Sequence, residues 1–119
     1  MPYRRIIKHK LKVTIDVSAN ATTATSDSFP MNGILKGIAI VAPDLDGTNT
    51  YTVTLKDADD SITVFERASL TENTTTAIFL DSNNRPLELP LHGNMTVTIT
   101  SSGTETADRE FTIIIYYLS

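Results

Sequence analysis

Hydrophobicity in this chain alternates with a period of two and almost nowhere with the period of a helix. In LKVTIDV, Leu11, Val13, Ile15 and Val17 fall on one face and Lys12, Thr14 and Asp16 on the other. YTVTL sets Tyr51, Val53 and Leu55 against Thr52 and Thr54, and MTVTIT sets Met95, Val97 and Ile99 against Thr96, Thr98 and Thr100. Such segments are half-buried antiparallel strands with one apolar and one wet face. Threonine suits the wet face, because its β-branch favours extended backbone and its hydroxyl meets water.

Two runs are apolar on both faces. GILKGIAIVAP offers Ile34, Ile38 and Ile40 on one side and Leu35, Ala39 and Val41 on the other. FTIIIYYL offers Phe111, Ile113, Ile115 and Tyr117 opposite Ile114, Tyr116 and Leu118. A strand of this kind is central in a layered sheet or lies at a subunit interface. The second run closes the chain, where a free strand with two apolar faces needs a cover; a homo-oligomer, dimer or trimer, would supply one.

SITVF and TTAIFL add further strands, with ERASLTENT between them as a connection containing a short irregular strand at Ala68 to Leu70. DSNNRPLELPLHGN and SSGTETADRE carry the Asn, Gly and Pro residues of long loops. SANATTATSDSFP, residues 18–30, is small and polar, a crossover or flexible segment. The expectation is an all-β, single antiparallel β-sandwich of jelly-roll or immunoglobulin-like topology, with about seven or eight strands. With 119 residues the chain makes one domain. Within it, 1–17 is a basic arm or first strand, 18–30 a polar connection and 31–119 the sandwich body.

Charge is segregated. Net charge is −4, yet Arg4, Arg5, Lys8, Lys10 and Lys12 are half of the ten basic residues, and every acidic residue follows them. A basic arm before an acidic body is expected to meet something acidic, another protein surface or nucleic acid. The plainer alternative is a first strand whose lysines keep an exposed edge from aggregating. Specific nucleic-acid recognition is not expected, since the body would repel a polyanion and basic–aromatic interleaving is limited to Tyr3. No apolar run is long enough to span a membrane. The charged MPYRRIIKHKLKVTIDVS lacks the apolar stretch of a signal peptide, so synthesis is expected in a cytosol.

Few constellations suggest chemistry. There is no cysteine, hence no disulfide, thiolate metal site or cysteine nucleophile. No G-x-S-x-G elbow or H-E-x-x-H pair occurs, and the two histidines, His9 and His92, stand far apart. Glu66, Glu72, Glu88, Glu105 and Glu110 are scattered, and nothing selects a catalytic pair. No catalytic residue and no cofactor are therefore expected. Asp44 and Asp46 in DLDGTN are weak calcium-ligand candidates, and DADD is a second acidic cluster. The two flank one strand and should lie about 20 Å apart, too far to share an ion. Turns at the two ends of that strand explain both clusters as well. A sugar-stacking site is disfavoured by the absence of Trp and by the placement of Tyr116 and Tyr117 in an apolar strand.

GILKGIAIVAPDLDGTNTYTVTLKDAD, PLELPLHGNMTVTITSSGT and the closing FTIIIYYL resemble segments of small structural proteins of tailed-bacteriophage virions, especially capsid decoration (cement) proteins of jelly-roll type. The resemblance implies a non-enzymatic protein, made in the host cytoplasm and located on the capsid surface. Its partner would be the major capsid protein or another virion protein. It implies an attachment arm or edge strand, residues 1–17, that reaches a neighbour with Ile6, Ile7 and its charges and whose first dozen residues are dispensable for folding. A tail or head-fibre component is the close alternative. A carbohydrate- or calcium-binding module is the alternative from a different class.

Overall fold

The structure is a computed structural model that describes residues 5–19 and 21–119. It contains ten strands among these residues: β1 (Ile6–Ile15), β2 (Thr23–Thr25), β3 (Phe29–Pro30), β4 (Gly33–Val41), β5 (Tyr51–Asp57), β6 (Ile62–Leu70), β7 (Thr75–Ile78), β8 (Leu89–Leu91), β9 (Asn94–Ser101) and β10 (Arg109–Leu118). They form two antiparallel five-stranded sheets. The first has the order β1-β10-β4-β7, with β8 also on β4; the second has the order β2-β9-β5-β6, with β3 also on β9.

The pairing has a simple logic. β2 and β3 lie end to end along β9, and β7 and β8 lie end to end along β4. If each couple counts as one interrupted strand, the chain is a long antiparallel ribbon. β1 pairs with β10, β2/β3 with β9, β4 with β7/β8 and β5 with β6. Rolling the ribbon adds the pairs β10–β4 and β9–β5. That is the jelly roll, and it decides between the two sandwich topologies the sequence leaves open.

The alternating segments place their apolar faces as expected. Tyr51, Val53, Leu55, Met95, Val97, Ile99, Phe111, Ile113 and Ile115 are all fully buried between the sheets. The expected parity fails in β4. Opposite Tyr116 and Tyr117 the register slips, so Tyr116 pairs with Gly37 and Tyr117 with Leu35, leaving Lys36 as an extra residue. This β-bulge flips the alternation, and Leu35 joins Ile38 and Ile40 in the core. Val17 misses the core as well. Asp16 Oδ1 accepts the Ser18 backbone N–H at 2.9 Å and the Ser18 hydroxyl at 2.7 Å, which ends the strand in a turn and leaves Val17 exposed.

The polar segment 18–30 does cross from the first sheet to the second, but it contributes β2 and β3 on the way. β6 runs unbroken through Ala68 to Leu70, absorbing a bulge at Ser69, whose φ is 58°. β10 is central in its sheet, hydrogen-bonded to β1 on one side and β4 on the other, so it has no free edge. β1 is an edge strand paired with β10 along its whole length, from Ile6↔Leu118 to Ile15↔Arg109. Of the two readings of this segment, arm or first strand, the structure has the strand: Ile6–Ile15 is part of the first sheet. Arg4 lies outside the described residues.

Candidate partner-binding face

Strand alternation in β1 splits the basic segment between two surfaces. Lys8, Lys10 and Lys12 point outward from the first sheet, together with the exposed Ile6. Ile7, His9 and Leu11 turn inward and are half-buried; His9 stacks on Phe29 with ring centroids 4.5 Å apart. Arg5 is exposed, and its carbonyl accepts the Ser119 N–H at 3.3 Å. The proposed partner-binding residues thus separate: Ile7 belongs to the inner side of the sheet, and the lysines belong to its outer face.

Strand pairing sets what lies beside those lysines. Across the first sheet the outward residues form rows. Lys8 is followed by Tyr116, Gly37 and then Phe79, just past β7. Lys10 is followed by Ile114, Ala39 and Ala77, and Lys12 by Thr112, Val41 and Thr75. The first row is in contact along its length. Lys8 Nζ lies 5.8 Å from the centre of the Tyr116 ring, within cation–π range, and the Tyr116 and Phe79 rings are 5.6 Å apart and tilted by 54°. Gly37 makes room for this. A Cβ there would stand 2.2 Å from the Phe79 ring, so only glycine lets the ring lie across the strand.

The result is an outer face with an apolar strip, Ile114, Tyr116, Ala39, Val41 and Phe79, flanked on one side by lysines. Phe79 is 48 % exposed and Val41 43 %. The second sheet is different outside. Thr23, Thr100 and Thr52 lie in one row and Thr25, Thr98 and Thr54 in the next, with Thr25 and Thr98 hydroxyls bonded at 2.9 Å. One outer face therefore presents two rows of hydroxyls, with Ile62 exposed at its β6 edge, and the other an apolar strip set between lysines and threonines.

The acidic candidates lie elsewhere. As expected, the two clusters sit at opposite ends of β5, in turns. Asp57 Oδ1 accepts the Asp59 N–H at 3.0 Å, and Gly47, at φ 55°, completes the Asp46 turn, where Asn49 N–H bonds the Asp46 carbonyl at 3.0 Å. Asp44 is exposed. Asp46 is ion-paired with Arg109, and the Thr106 hydroxyl and Arg109 hold its carboxyl below the usual value. Among the described residues no group of three or more His, Asp or Glu side chains is placed to hold a metal.

Sequence reasoning missed what that end of the sandwich is built on. Glu105, only 1 % exposed, is one of two buried polar residues there, with Ser101. Its Oε1 accepts the Asp46 N–H and the Arg109 Nε–H, each at 2.9 Å. Its Oε2 accepts the Asn49 amide at 2.6 Å and the Ser101 hydroxyl at 2.9 Å. Burial pushes its carboxyl up, but these four donors outweigh burial and hold it below the usual glutamate value. The carboxylate ties the β4–β5 loop to the β9–β10 loop. Its lone pairs are spent on the protein itself, so the cluster is a clasp without a free position for a substrate.

Comparison with protein-family profiles gives no match. Comparison with curated protein sequences gives none either. Solved structures do match. A chain of the capsid asymmetric unit of cyanophage Pam1 is 20 % identical with a TM-score of 0.55, over 97 % of this chain and 84 % of that one. A subunit of the disulfide-linked pili of Bacillus endospore appendages is 16 % identical with a TM-score of 0.51, over 98 % and 90 %. A chain of the capsid of Helicobacter pylori bacteriophage KHP30 is 10 % identical with a TM-score of 0.51, over 97 % and 93 %. At these identities the likeness is one of fold, and it extends over nearly the whole chain.

Proposed function

We propose that this protein is a non-enzymatic structural component of a phage virion, and specifically a capsid decoration protein that binds the outside of the shell and stabilises it. The observation that carries the reading is the difference between the two outer faces of the sandwich. A cement protein needs one face that adheres and one that stays hydrated, and the hydrocarbon strip of the first sheet and the threonine lattice of the second supply them. Two further observations support it. The fold is shared, at similar chain length, with chains from two phage capsids. The converging polar side chains, Glu105, Asp46, Asn49 and Arg109, satisfy one another, as befits a rigid part rather than a reactive one. Each copy then contributes modestly, and the symmetry of a shell multiplies the effect.

The test is immunogold electron microscopy. An antibody raised against the purified protein is applied to particles produced by the genome that encodes it. Label distributed over the heads is expected. Label confined to tails or to fibres projecting from the head would replace decoration with the fibre alternative, and unlabelled particles would remove the virion reading.

A further inference from the structure

Two lysines of the outer face have no carboxylate partner among the described residues. Lys12 pairs with Glu110 at 3.4 Å and Lys36 with Glu88 at 3.0 Å, but neither Lys8 nor Lys10 has a carboxylate partner among the described residues. In a protein of net charge −4 these two uncompensated cations stand together on one strand, directly beside the exposed apolar strip. We infer that the outer face of the first sheet is the docking surface, and that its occupant is a different protein presenting an apolar strip edged by carboxylates. This deepens the decoration reading and rests on it. Tyr116 and Phe79, held side by side over Gly37, are the apolar anchors, and Lys8 and Lys10 the charged ones.

Charge selects this occupant over the others. A second copy could cover the face in either of two symmetric ways. A two-fold axis across the strands would set lysine row against lysine row. A two-fold axis along the strands would set the lysines over Thr75, Ala77 and Phe79 of the copy, where the nearby carboxylate, Glu88, is already paired with Lys36. Both leave Lys8 and Lys10 unmatched and desolvated, which is costly. A nucleic acid would match the lysines but leave Ile114, Val41 and Phe79 without apolar contact, and the acidic remainder of the protein would repel it. An acidic, apolar protein surface satisfies both halves of the face. The charged half steers encounter and register, and the aromatic half resists dissociation.

Particles assembled from a genome lacking this gene, mixed with the purified protein and sedimented, provide the test. The variants are Lys8→Glu with Lys10→Glu, and Phe79→Ala; Thr96→Glu on the outer face of the second sheet is the control. All four side chains are at least partly solvent-exposed, and thermal melts of each variant verify folding. Each face variant should weaken binding by at least about tenfold, and the wild-type interaction should weaken with salt, while the control binds as wild type does. Failure of the wild-type protein to bind particles would overturn the decoration reading itself. Wild-type binding that both folded face variants retain would overturn this inference and leave that reading intact. Wild-type dimers in sedimentation velocity that Phe79→Ala dissolves would make the occupant a second copy, and competition by duplex DNA would make it a nucleic acid; either overturns the partner assigned here.

Discussion

Glu105 offers a sharp test of how the end of the sandwich is held. Glu105→Ala removes the acceptor of four hydrogen bonds, from Asp46 N–H, Asn49, Ser101 and Arg109. It also leaves a void beside buried groups. Removing one partner of a buried charged network costs about 3–5 kcal/mol. The edge of this network is wetted, since the Arg109 side chain is 19 % exposed and keeps Asp46 as a partner, so the lower end, about 3 kcal/mol, applies. For a domain of this size that lowers Tm by roughly 10–15 °C. Glu105→Gln is the informative companion. Its oxygen still accepts from Asp46 N–H and Arg109, while its amide can donate to the Ser101 hydroxyl and to a flipped Asn49. It loses the charge and keeps the connections, at a cost of about 1–2 kcal/mol. The charge also has a pH signature. Because the folded protein holds the Glu105 carboxyl below its ordinary value of 4.5, its stabilisation is fully present above that pH and is lost as pH falls through the folded value. Denaturant titrations from neutral pH into acid should show the wild-type stability declining more steeply than that of Glu105→Gln. Parallel acid limbs would refute the claim that the clasp stabilises the ionised form.

Three other substitutions or truncations follow from the same structure. Tyr51 is buried against Phe111, and among the described residues its hydroxyl has no hydrogen-bond partner at bonding distance, the Thr76 side chain being near it, so Tyr51→Phe should leave stability unchanged or raise it by up to about 1 kcal/mol in urea melts; a loss of that size would contradict this. Gly33→Ala should destabilise by about 2 kcal/mol or more, because φ is +148° and a Cβ would stand 2.2 Å from the Leu118 carbonyl oxygen; an unchanged Tm would refute the tight packing of that corner. Removing residues 1–12 strips β10 of most of its β1 partner and exposes its edge, so the truncated chain should aggregate or lose its cooperative melt; a soluble, cooperatively melting product would restore the detachable arm.

The parts of the fold written in local alternation were legible, and those written in long-range pairing were not. β5 and β9 announce themselves, since Tyr51, Val53 and Leu55, and Met95, Val97 and Ile99, turn inward between outward threonines, and β1 does so where Leu11, Val13 and Ile15 alternate with Lys12 and Thr14. β2 and β3 do not, because Thr23–Thr25 and Phe29–Pro30 present only Ala24 and Phe29 to the core and owe their conformation to backbone bonds with β9. β8 hides for the same reason, and its central residue is Pro90. The bulge at Lys36 is likewise silent: nothing local distinguishes a lysine that interrupts alternation from one that obeys it. The apolar face of the first sheet was half legible. The two-faced composition of β4 and β10 signals that one surface of their sheet is unusually apolar, but Phe79 joins it only through a glycine on another strand. Glu105 gave no signal at all, since two of its partners, Asp46 and Asn49, lie more than fifty residues earlier in the chain.

The pairing of β1 with β10 has a consequence for the timing of folding. The strand that completes the first sheet is the last of the ten to emerge during synthesis, and it brings Ile114 and Tyr116 with it. Until then β1 and β4 stand apart in that sheet with a gap between them, and the apolar strip does not exist as a surface. A nascent chain therefore lacks this surface until translation has passed β10. Large loop closures of this kind are slow. The apolar strip is thus presented only by a chain in which all ten strands have been made.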